Sequence, residues 1–174
     1  YGVSKRVMFH QLKALTDQTK IKICYIVMNN LYGINDNFNK ENGHVVPSLI
    51  HKFYLAKKKG DSVKLWGSPK TKRCLLYSKD AARMILEITK KNIQIINLSS
   101  INEITIGRLA KIISKIYNFN GKIIWKKKFF AGVDRRKLDT SLQSKLKIKE
   151  EYTLKEGLAE TIEWFKTNYQ KKVR

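Results

Sequence analysis

The 174 residues suffice for one ordinary domain or for part of a larger enzyme, and their composition, 43% hydrophobic with two prolines, excludes disordered and collagen-like chains. No apolar run approaches the roughly 18 residues of a membrane span, so we expect a soluble, cytoplasmic protein that contacts no membrane. Lys and Arg outnumber Asp and Glu by 36 to 14, but 29 of the 36 are Lys, whereas recognition of phosphate and bases favours Arg. We therefore interpret the charge of +22 as a solvated surface and disfavour nucleic-acid binding.

The first predicted elements are a helix and a strand. Apolar residues recur at helical spacing over residues 2–18, which predicts an amphipathic helix. The apolar, β-branched run at residues 21–28 predicts a buried strand. That strand leads into residues 29–33 and a polar loop at 35–43, the kind of strand exit where α/β proteins bind ligands.

A helix and two strands are predicted next. Pro47 suits the first turn of a helix that continues to the lysines before Gly60. Residues 63–66 and 73–77 look like two short strands around a turn that contains Gly67 and Pro69. The chain therefore begins to alternate between helices and strands.

The alternation continues to the end of the chain. Ser78 is placed to cap a helix at residues 79–91, and residues 93–98 predict a strand. The core positions predicted for that helix are Ala82, Ile85 and Ile88. Thr105 is placed to cap the next helix, which runs through Tyr117. The remaining predictions are a strand at 122–125, a short helix from Thr140 or Ser141, and a capping box of Thr153 and Glu156 before a final helix.

Strands that alternate with helices predict an α/β architecture. The nine glycines form neither G-x-G-x-x-G nor G-x-x-x-x-G-K, so these residues encode no phosphate-binding loop of either kind. Cys24 and Cys74 have no Cys or His at metal-ligand spacing, and we predict ordinary buried thiols and no metal site.

Tyr1 and Lys5 lie four residues apart, which places both side chains on one face of a helix. A cation beside a phenol favours its ionised form, so that the hydroxyl can exchange a proton with a carbonyl oxygen near neutral pH. The pair alone is weak evidence, because Tyr54 and Lys58 repeat the same spacing.

Motifs downstream of this pair give it a context. They are Tyr-Gly-Val-Ser-Lys at 1–5, Asn-Leu-Tyr-Gly at 30–33, Asp-Asn-Phe at 36–38, His-Val-Val-Pro at 44–47 and Trp-Gly-Ser at 66–68. In this order and spacing, from residue 1 to about residue 168, the chain resembles the GDP-L-fucose synthase family of the extended short-chain dehydrogenase/reductases. The resemblance implies the last part of a Rossmann-type domain followed by a smaller α/β substrate domain.

The resemblance also implies an NADPH-dependent epimerase and reductase of GDP-4-keto-6-deoxy-D-mannose, in which acid and base groups invert C3 and C5 before hydride reduces C4. Tyr1 matches the proton donor to the C4 oxygen, and Lys5 matches the residue that tunes it and holds the nicotinamide ribose. His44 matches the acid/base histidine near the cofactor, a role that suits an imidazole. The segment along the nicotinamide matches Met28, Asn29, Asn30 and Leu31.

Three further residues match positions that bind the GDP-sugar. Trp66 and Arg73 are two of them, with Arg73 suited to the diphosphate, and Lys52 stands where the family usually has Arg. Other interpretations stay open from the residues alone: Trp66 as a core side chain, Arg73 as a solvated charge, and His44 as a surface or helix-capping residue.

Several positions depart from the family pattern. Met28 replaces a Pro, and Ser99-Ser100-Ile101 replaces a G-T-G turn. Cys74, Tyr77 and Lys79 replace the Glu, His and Asp of R-E-F-L-H-V-D-D. Residues 129–132 stand in place of K-P-D-G, which removes an acidic substrate contact at Ala131. A related nucleotide-sugar epimerase/reductase with a different substrate is therefore an alternative.

The resemblance divides the chain into residues 1–34, the carboxy-terminal part of an NADP-binding Rossmann domain, and residues 35–174, mainly a GDP-sugar-binding domain that can return to the Rossmann sheet. Residue 1 is Tyr rather than Met, and without a glycine-rich phosphate loop we expect the isolated chain to be a catalytically inactive fragment. In the family the helix that carries Tyr1 and Lys5 helps to form a dimer, so a homodimer is expected. A third alternative is a non-catalytic, basic nucleic-acid-binding module.

Overall fold

A computed structural model describes residues 1–39, 43–126 and 133–172. The helices are α1 (Gly2–Gln18), α2 (Val45–Lys59), α3 (Ser78–Thr89), α4 (Ile106–Ile116), α5 (Ser141–Lys145) and α6 (Leu154–Lys172). The strands are β1 (Tyr25–Met28), β2 (Leu31–Tyr32), β3 (Val63–Trp66), β4 (Lys72–Cys74), β5 (Leu76–Tyr77), β6 (Ile95–Leu98), β7 (Glu103–Thr105), β8 (Ile123–Lys126) and β9 (Arg135–Arg136). In this part of the chain no helix has both the length and the apolar character that a bilayer crossing needs.

The strands pair mainly in parallel, which confirms the predicted α/β class. β1 pairs with β6, β2 with β5 and β3 with β8, all parallel. β4 lies between β7, which is antiparallel, and β9, which is parallel. Parallel neighbours need a crossover connection, and the helices between paired strands provide it. The two predicted strands at 63–66 and 73–77 therefore do not pair with each other, and the second divides into β4 and β5.

The largest core cluster lies where α2, α4 and α6 pack around β3. Its completely buried members include Ile50, Phe53, Leu109, Ile113 and Leu158. A second cluster packs α3 against β6 through Met84, Ile88 and Leu98. The prediction that Ala82 is a core residue was wrong, because Ala82 is exposed whereas Ala81 and Met84 are buried.

Side-chain capping defines several helix ends. Thr105 Oγ1 accepts a hydrogen bond from the Arg108 amide at 3.2 Å, which confirms the predicted cap of α4. Thr153 Oγ1 accepts from the Glu156 amide at 3.3 Å, and the Glu156 carboxylate accepts from the Thr153 amide at 2.8 Å, which confirms the capping box. The predicted cap at Ser78 was wrong: Ser78 is already helical, and the residue before it forms no side-chain cap.

The first helix is confirmed, but it contains no buried residue. Val3, Val7, Met8 and Leu15 remain 75%, 49%, 43% and 40% exposed. The strand predicted at 21–28 is shortened to β1 and is half-buried rather than buried, since among the described residues it pairs with β6 alone. An amphipathic helix with exposed apolar residues and a strand that pairs on one side thus lie next to each other in the sequence.

Candidate functional site

A cavity of ≈ 700 Å³ opens where β1 ends and β2 begins. Its walls come from that junction, the loop that follows β2, the first turns of α2 and α3, and the strands β4 and β9. It brings together seven of the residues singled out in the sequence: Tyr1, Met28, Asn29, Asn30, Leu31, His44 and Arg73. The cavity therefore lies at the strand exit where a ligand site was predicted.

The other three predicted residues do not line this cavity. Lys5 lies beside it, with Nζ 5.4 Å from the centroid of the Tyr1 ring. Lys52 is a half-buried residue of α2, away from the cavity wall. Trp66 is 57% exposed at the end of β3, where Lys126 Nζ lies 5.4 Å from its ring, so the interpretation of Trp66 as a core residue was wrong.

Tyr1 and His44 reach the cavity from two different helices. The Tyr1 side chain is 95% exposed, and its carbonyl accepts from the Lys5 amide at 3.1 Å at the start of α1. His44 is the N-cap residue of α2, but its side chain forms no cap. The imidazole is instead 83% exposed, with Nδ1 3.8 Å from Asp36 Oδ1. Both polar groups are accessible to a ligand that enters the cavity.

Two asparagines fix the backbone at the floor of the cavity. The buried Asn29 accepts through Oδ1 from the Asn30 amide at 2.9 Å and from Asn30 Nδ2 at 2.8 Å. Asn30 Nδ2 also donates to the Cys74 carbonyl at 3.2 Å, and Asn29 Nδ2 to the Arg136 carbonyl at 3.4 Å. These bonds join the β1–β2 junction to β4 and β9, and they fix the backbone where the Asn-Leu-Tyr-Gly motif begins.

One wall of the cavity carries two neighbouring arginines. Arg73 of β4 and Arg136 of β9 are register partners, and both line the cavity. The Arg73 guanidinium is oriented by the carbonyls of Val133 at 2.8 Å and Asp134 at 3.3 Å. Among the described residues neither arginine forms an ion pair with a carboxylate. Two unneutralised guanidinium groups side by side are suited to a ligand with two negative charges.

Arg136 was missed by sequence reasoning. Its neighbour Arg135 pairs through Nε and Nη2 with the two carboxylate oxygens of Glu103 at 2.7 and 2.6 Å, and this pairing lowers the pKa of Glu103. Successive residues of a strand point to opposite faces, so Arg135 is tied away from the cavity while Arg136 faces it. A two-residue strand is too short to show a periodic pattern, and the basic run at 135–137 was interpreted as charged residues on a solvated surface.

Close packing beside the cavity depends on Gly33 and Ser78. A methyl group at Gly33 would lie 2.9 Å from Ser78 Cβ and closer still to Ser78 Oγ, so only glycine fits between β2 and the first turn of α3. Gly33 is buried, and both residues line the cavity. The last residue of Asn-Leu-Tyr-Gly is therefore a packing requirement.

Replacement of Gly33 by Ala is expected to destabilise the chain by about 1–3 kcal/mol, the usual effect of overpacking. The matched variant Ser78→Gly removes the clashing hydroxymethyl group, so the double variant should regain most of the loss. Urea unfolding of the two single variants and the double variant measures this coupling. A double variant no more stable than Gly33→Ala would contradict this account.

Three departures from the family pattern lie outside the cavity lining. Cys74 is completely buried, and this burial raises the pKa of its thiol. Tyr77 packs edge-on against Tyr152, and Lys79 forms an ion pair with Glu160. These substitutions therefore fit into packing and surface contacts and do not themselves reshape the cavity. The departure at 129–132, including Ala131, lies outside the described residues.

Residues 1–99 match the model of a family described as the NAD dependent epimerase/dehydratase family. The chain belongs to this family. It is 32% identical over 171 residues to "Probable GDP-L-fucose synthase 1" of Oryza sativa subsp. japonica, covering 97% of this chain and 52% of the relative. It is 31% identical over 155 residues to the GDP-L-fucose synthase of Escherichia coli, covering 82% of this chain and 48% of that enzyme. The predicted resemblance to GDP-L-fucose synthases is thus confirmed.

Two solved structures are similar to this chain. A GDP-L-fucose synthetase of Naegleria fowleri bound to NADP superposes with a TM-score of 0.81 at 31% identity, over 94% of this chain and 51% of that one. A UDP-N-acetylglucosamine 4-epimerase of Methanobrevibacter ruminantium gives 0.82 at 24% identity, which shows the shared fold alone. The chain spans about half the length of these curated relatives.

Proposed function

We propose that the cavity binds the diphosphate and hexose of a GDP-4-keto-6-deoxy sugar, and that this chain is the substrate-binding part of a GDP-L-fucose synthase-like, NADPH-dependent epimerase/reductase. The observation that carries the proposal is the pairing of Arg73 and Arg136 on the wall of a cavity that Tyr1 and His44 also reach. The arginines are the diphosphate contacts, and the two proton-exchanging side chains act on the sugar. The relatives named above are GDP-L-fucose synthases, which supports guanosine as the nucleoside.

Each polar group then has a chemical role. The Tyr1 hydroxyl donates a proton to the C4 oxygen as that carbonyl is reduced, and the Lys5 ammonium beside its ring stabilises negative charge on the phenol. His44 exchanges protons with the carbons next to the C4 ketone, and Asp36 lies close enough to orient the imidazole. The roles of Lys52 and Trp66 as GDP contacts stay predictions, as does a domain division between residues 34 and 35.

The described residues fit the nicotinamide end of NADPH. The backbone at Met28–Leu31 is held by the asparagine network, and it forms the cavity floor beside Tyr1. When bound, NADPH supplies the hydride that reduces C4. The sequence contains no glycine-rich phosphate loop, and turnover of NADPH by residues 1–174 alone is therefore not expected. A cytoplasmic location also stays a prediction.

Calorimetric titration of the 174-residue chain with GDP-L-fucose, GDP and UDP-glucose tests the proposal. We expect GDP-L-fucose to bind more tightly than GDP, because the hexose reaches Tyr1 and His44, and UDP-glucose to bind most weakly. Equal affinity for all three would show nonspecific attraction to a basic surface. Affinity for a random oligonucleotide above that for GDP-L-fucose would favour the nucleic-acid-binding alternative, which the comparisons do not support.

We also propose that the chain forms a homodimer through α1, whose apolar side chains are exposed. Light scattering after size-exclusion chromatography should give twice the mass of the chain, and the double variant Val7→Glu with Met8→Glu should give a monomer. Leu86→Glu, at an exposed apolar position of α3, is the matched control and should leave the dimer intact. A wild-type chain that remains monomeric at the highest concentration measured would refute the dimer.

A further inference from the structure

The loop after β2 delivers Asn35 and Asp36 to the cavity, and it is folded by its own side chains. Asp36 Oδ1 accepts from the Asn37 amide at 2.7 Å, and Asn37 Oδ1 accepts from the Asn39 amide at 3.0 Å. The Gly43 amide donates to the Asn39 carbonyl at 2.9 Å. These local bonds shape the loop, but they do not attach it to the rest of the molecule.

Phe38 attaches the loop to the core in two ways. Its ring lies 5.7 Å from the ring of Trp164 and 4.7 Å from that of Phe165, both on α6. Its carbonyl oxygen is 2.6 Å from His51 Nδ1. Because a carbonyl can only accept, Nδ1 carries the proton and donates it. The Phe of the Asp-Asn-Phe motif is thus held by aromatic stacking on one side and by a hydrogen bond from His51 on the other.

His51 is well placed to act as a fixed anchor. It is 7% exposed, and its ring packs 4.8 Å from Tyr169 and 5.6 Å from Phe165, measured between centroids. It lies on α2, about two turns after His44 begins that helix. One helix therefore holds the loop at Phe38 and carries His44 to the cavity, where Asp36 of the same loop lies 3.8 Å from His44 Nδ1.

We infer that His51 is a positioning residue for the cavity: through Phe38 it fixes the loop so that Asp36 stays beside His44. Helix α6 also holds the loop in place, since its aromatic side chains pack against the Phe38 ring. The effect of His51 on ligand affinity rests on the proposed function. Its effect on the loop itself does not, because amide exchange reports the loop without any ligand.

The test compares His51→Leu, which cannot donate, with His51→Asn, whose side-chain amide can replace the Nδ1 donor. Amide hydrogen exchange at Asn39 and Gly43 is measured by NMR on the free chain, and GDP-L-fucose and GDP affinities are measured by calorimetry. Loss of one buried hydrogen bond changes an equilibrium constant by about tenfold. We expect His51→Leu to exchange about tenfold faster at both amides and to bind GDP-L-fucose about tenfold more weakly, with GDP affinity nearly unchanged, and His51→Asn to restore both.

Control variants distinguish an effect on the loop from an effect on ligand binding. His10→Leu, at an exposed histidine of α1, should change neither readout. If His51→Leu fails to fold, His51→Asn and Phe38→Leu remain, and Phe38→Leu should accelerate exchange because it loses the stacking. Unchanged exchange in the folded variants, or His51→Asn as impaired as His51→Leu, would overturn the inference. A wild-type chain that shows the exchange pattern but binds no GDP-L-fucose would refute the proposed function instead.

Discussion

Replacement of Asp80 by Ala is expected to lower the free energy of unfolding by about 3–5 kcal/mol, the usual effect of removing one partner from a buried ion pair. Asp80 is completely buried in the first turn of α3. Its Oδ1 lies 3.1 Å from Arg83 Nη2 and accepts from the Glu151 amide at 2.9 Å, and its Oδ2 accepts from the Tyr152 amide at 3.0 Å. One carboxylate therefore joins α3 to the segment that leads into α6.

The size of this effect follows from what the Ala variant leaves behind. Two backbone amides lose their acceptors in half-buried hydrogen bonds, so each should cost no more than the low end of the about 1–3 kcal/mol that an unsatisfied buried donor costs. Arg83 also loses its buried carboxylate, although Glu87 at 3.2 Å and Glu151 at 3.2 Å remain as partners. The buried ion pair should therefore contribute at least as much to the loss as the two amides.

Two variants separate these contributions. Asp80→Asn keeps the shape and one acceptor oxygen, so its loss should be smaller than that of Asp80→Ala. Glu87→Ala removes a carboxylate from the same Arg83 on the surface, and it should cost less than about 0.5 kcal/mol. Urea denaturation of all three variants measures the differences. If Glu87→Ala were as damaging as Asp80→Ala, the burial of Asp80 would not account for its effect.

The sequence predicted those elements whose signals are local. Thr153 and Glu156 identify the start of α6 because a capping box needs only residues three apart. Pro47 places the first turn of α2 correctly for the same reason, since its ring fixes its own backbone angle. Both patterns involve only residues that are close together in the sequence, so they can be recognised without knowing the fold.

Elements that depend on distant partners were missed. β2, β7 and β9 have two or three residues each, too few for any periodic pattern, and they are strands only because β4 and β5 lie beside them. Ala82 was assigned to the core because helical spacing fixes a set of positions but not which face meets the sheet. α1 is the opposite case. Its apolar pattern predicts a buried face, but the pattern does not identify the surface that would cover it, and α1 contains no buried residue.

The same distinction holds for the candidate site. Tyr1, His44 and Arg73 were found through a resemblance carried by motifs, and the cavity brings all three together. Arg136 and the His51 anchor were not found, because each acquires its place through a contact with a residue far away in sequence. Arg136 needs its register with Arg73, and His51 needs the carbonyl of Phe38.

The arginine pair gives the sharpest prediction for ligand binding. Replacement of Arg73 by Ala should weaken GDP binding by about 10- to 100-fold, since a hydrogen bond to a charged group contributes about 1.5–3 kcal/mol. Arg136→Ala should have an effect of similar size. Arg73→Lys keeps the charge but loses the planar fork that fits two phosphate oxygens, so it should recover only part of the loss.

Charge alone is tested by two residues on the opposite face of the same strands. Lys72→Ala and Arg135→Ala each remove one positive charge, but Lys72 is register partner of Arg135, and Arg135 is tied to Glu103 away from the cavity. Calorimetry at 50 and 200 mM salt should show both within about twofold of the wild-type affinity for GDP, because screening weakens distant charges more than direct contacts. If these controls bound GDP as weakly as Arg73→Ala does, the nucleotide would be attracted by a diffuse basic surface and not by the two arginines. A loss confined to Arg73 and Arg136 would assign the diphosphate to this wall of the cavity, which Tyr1 and His44 also line.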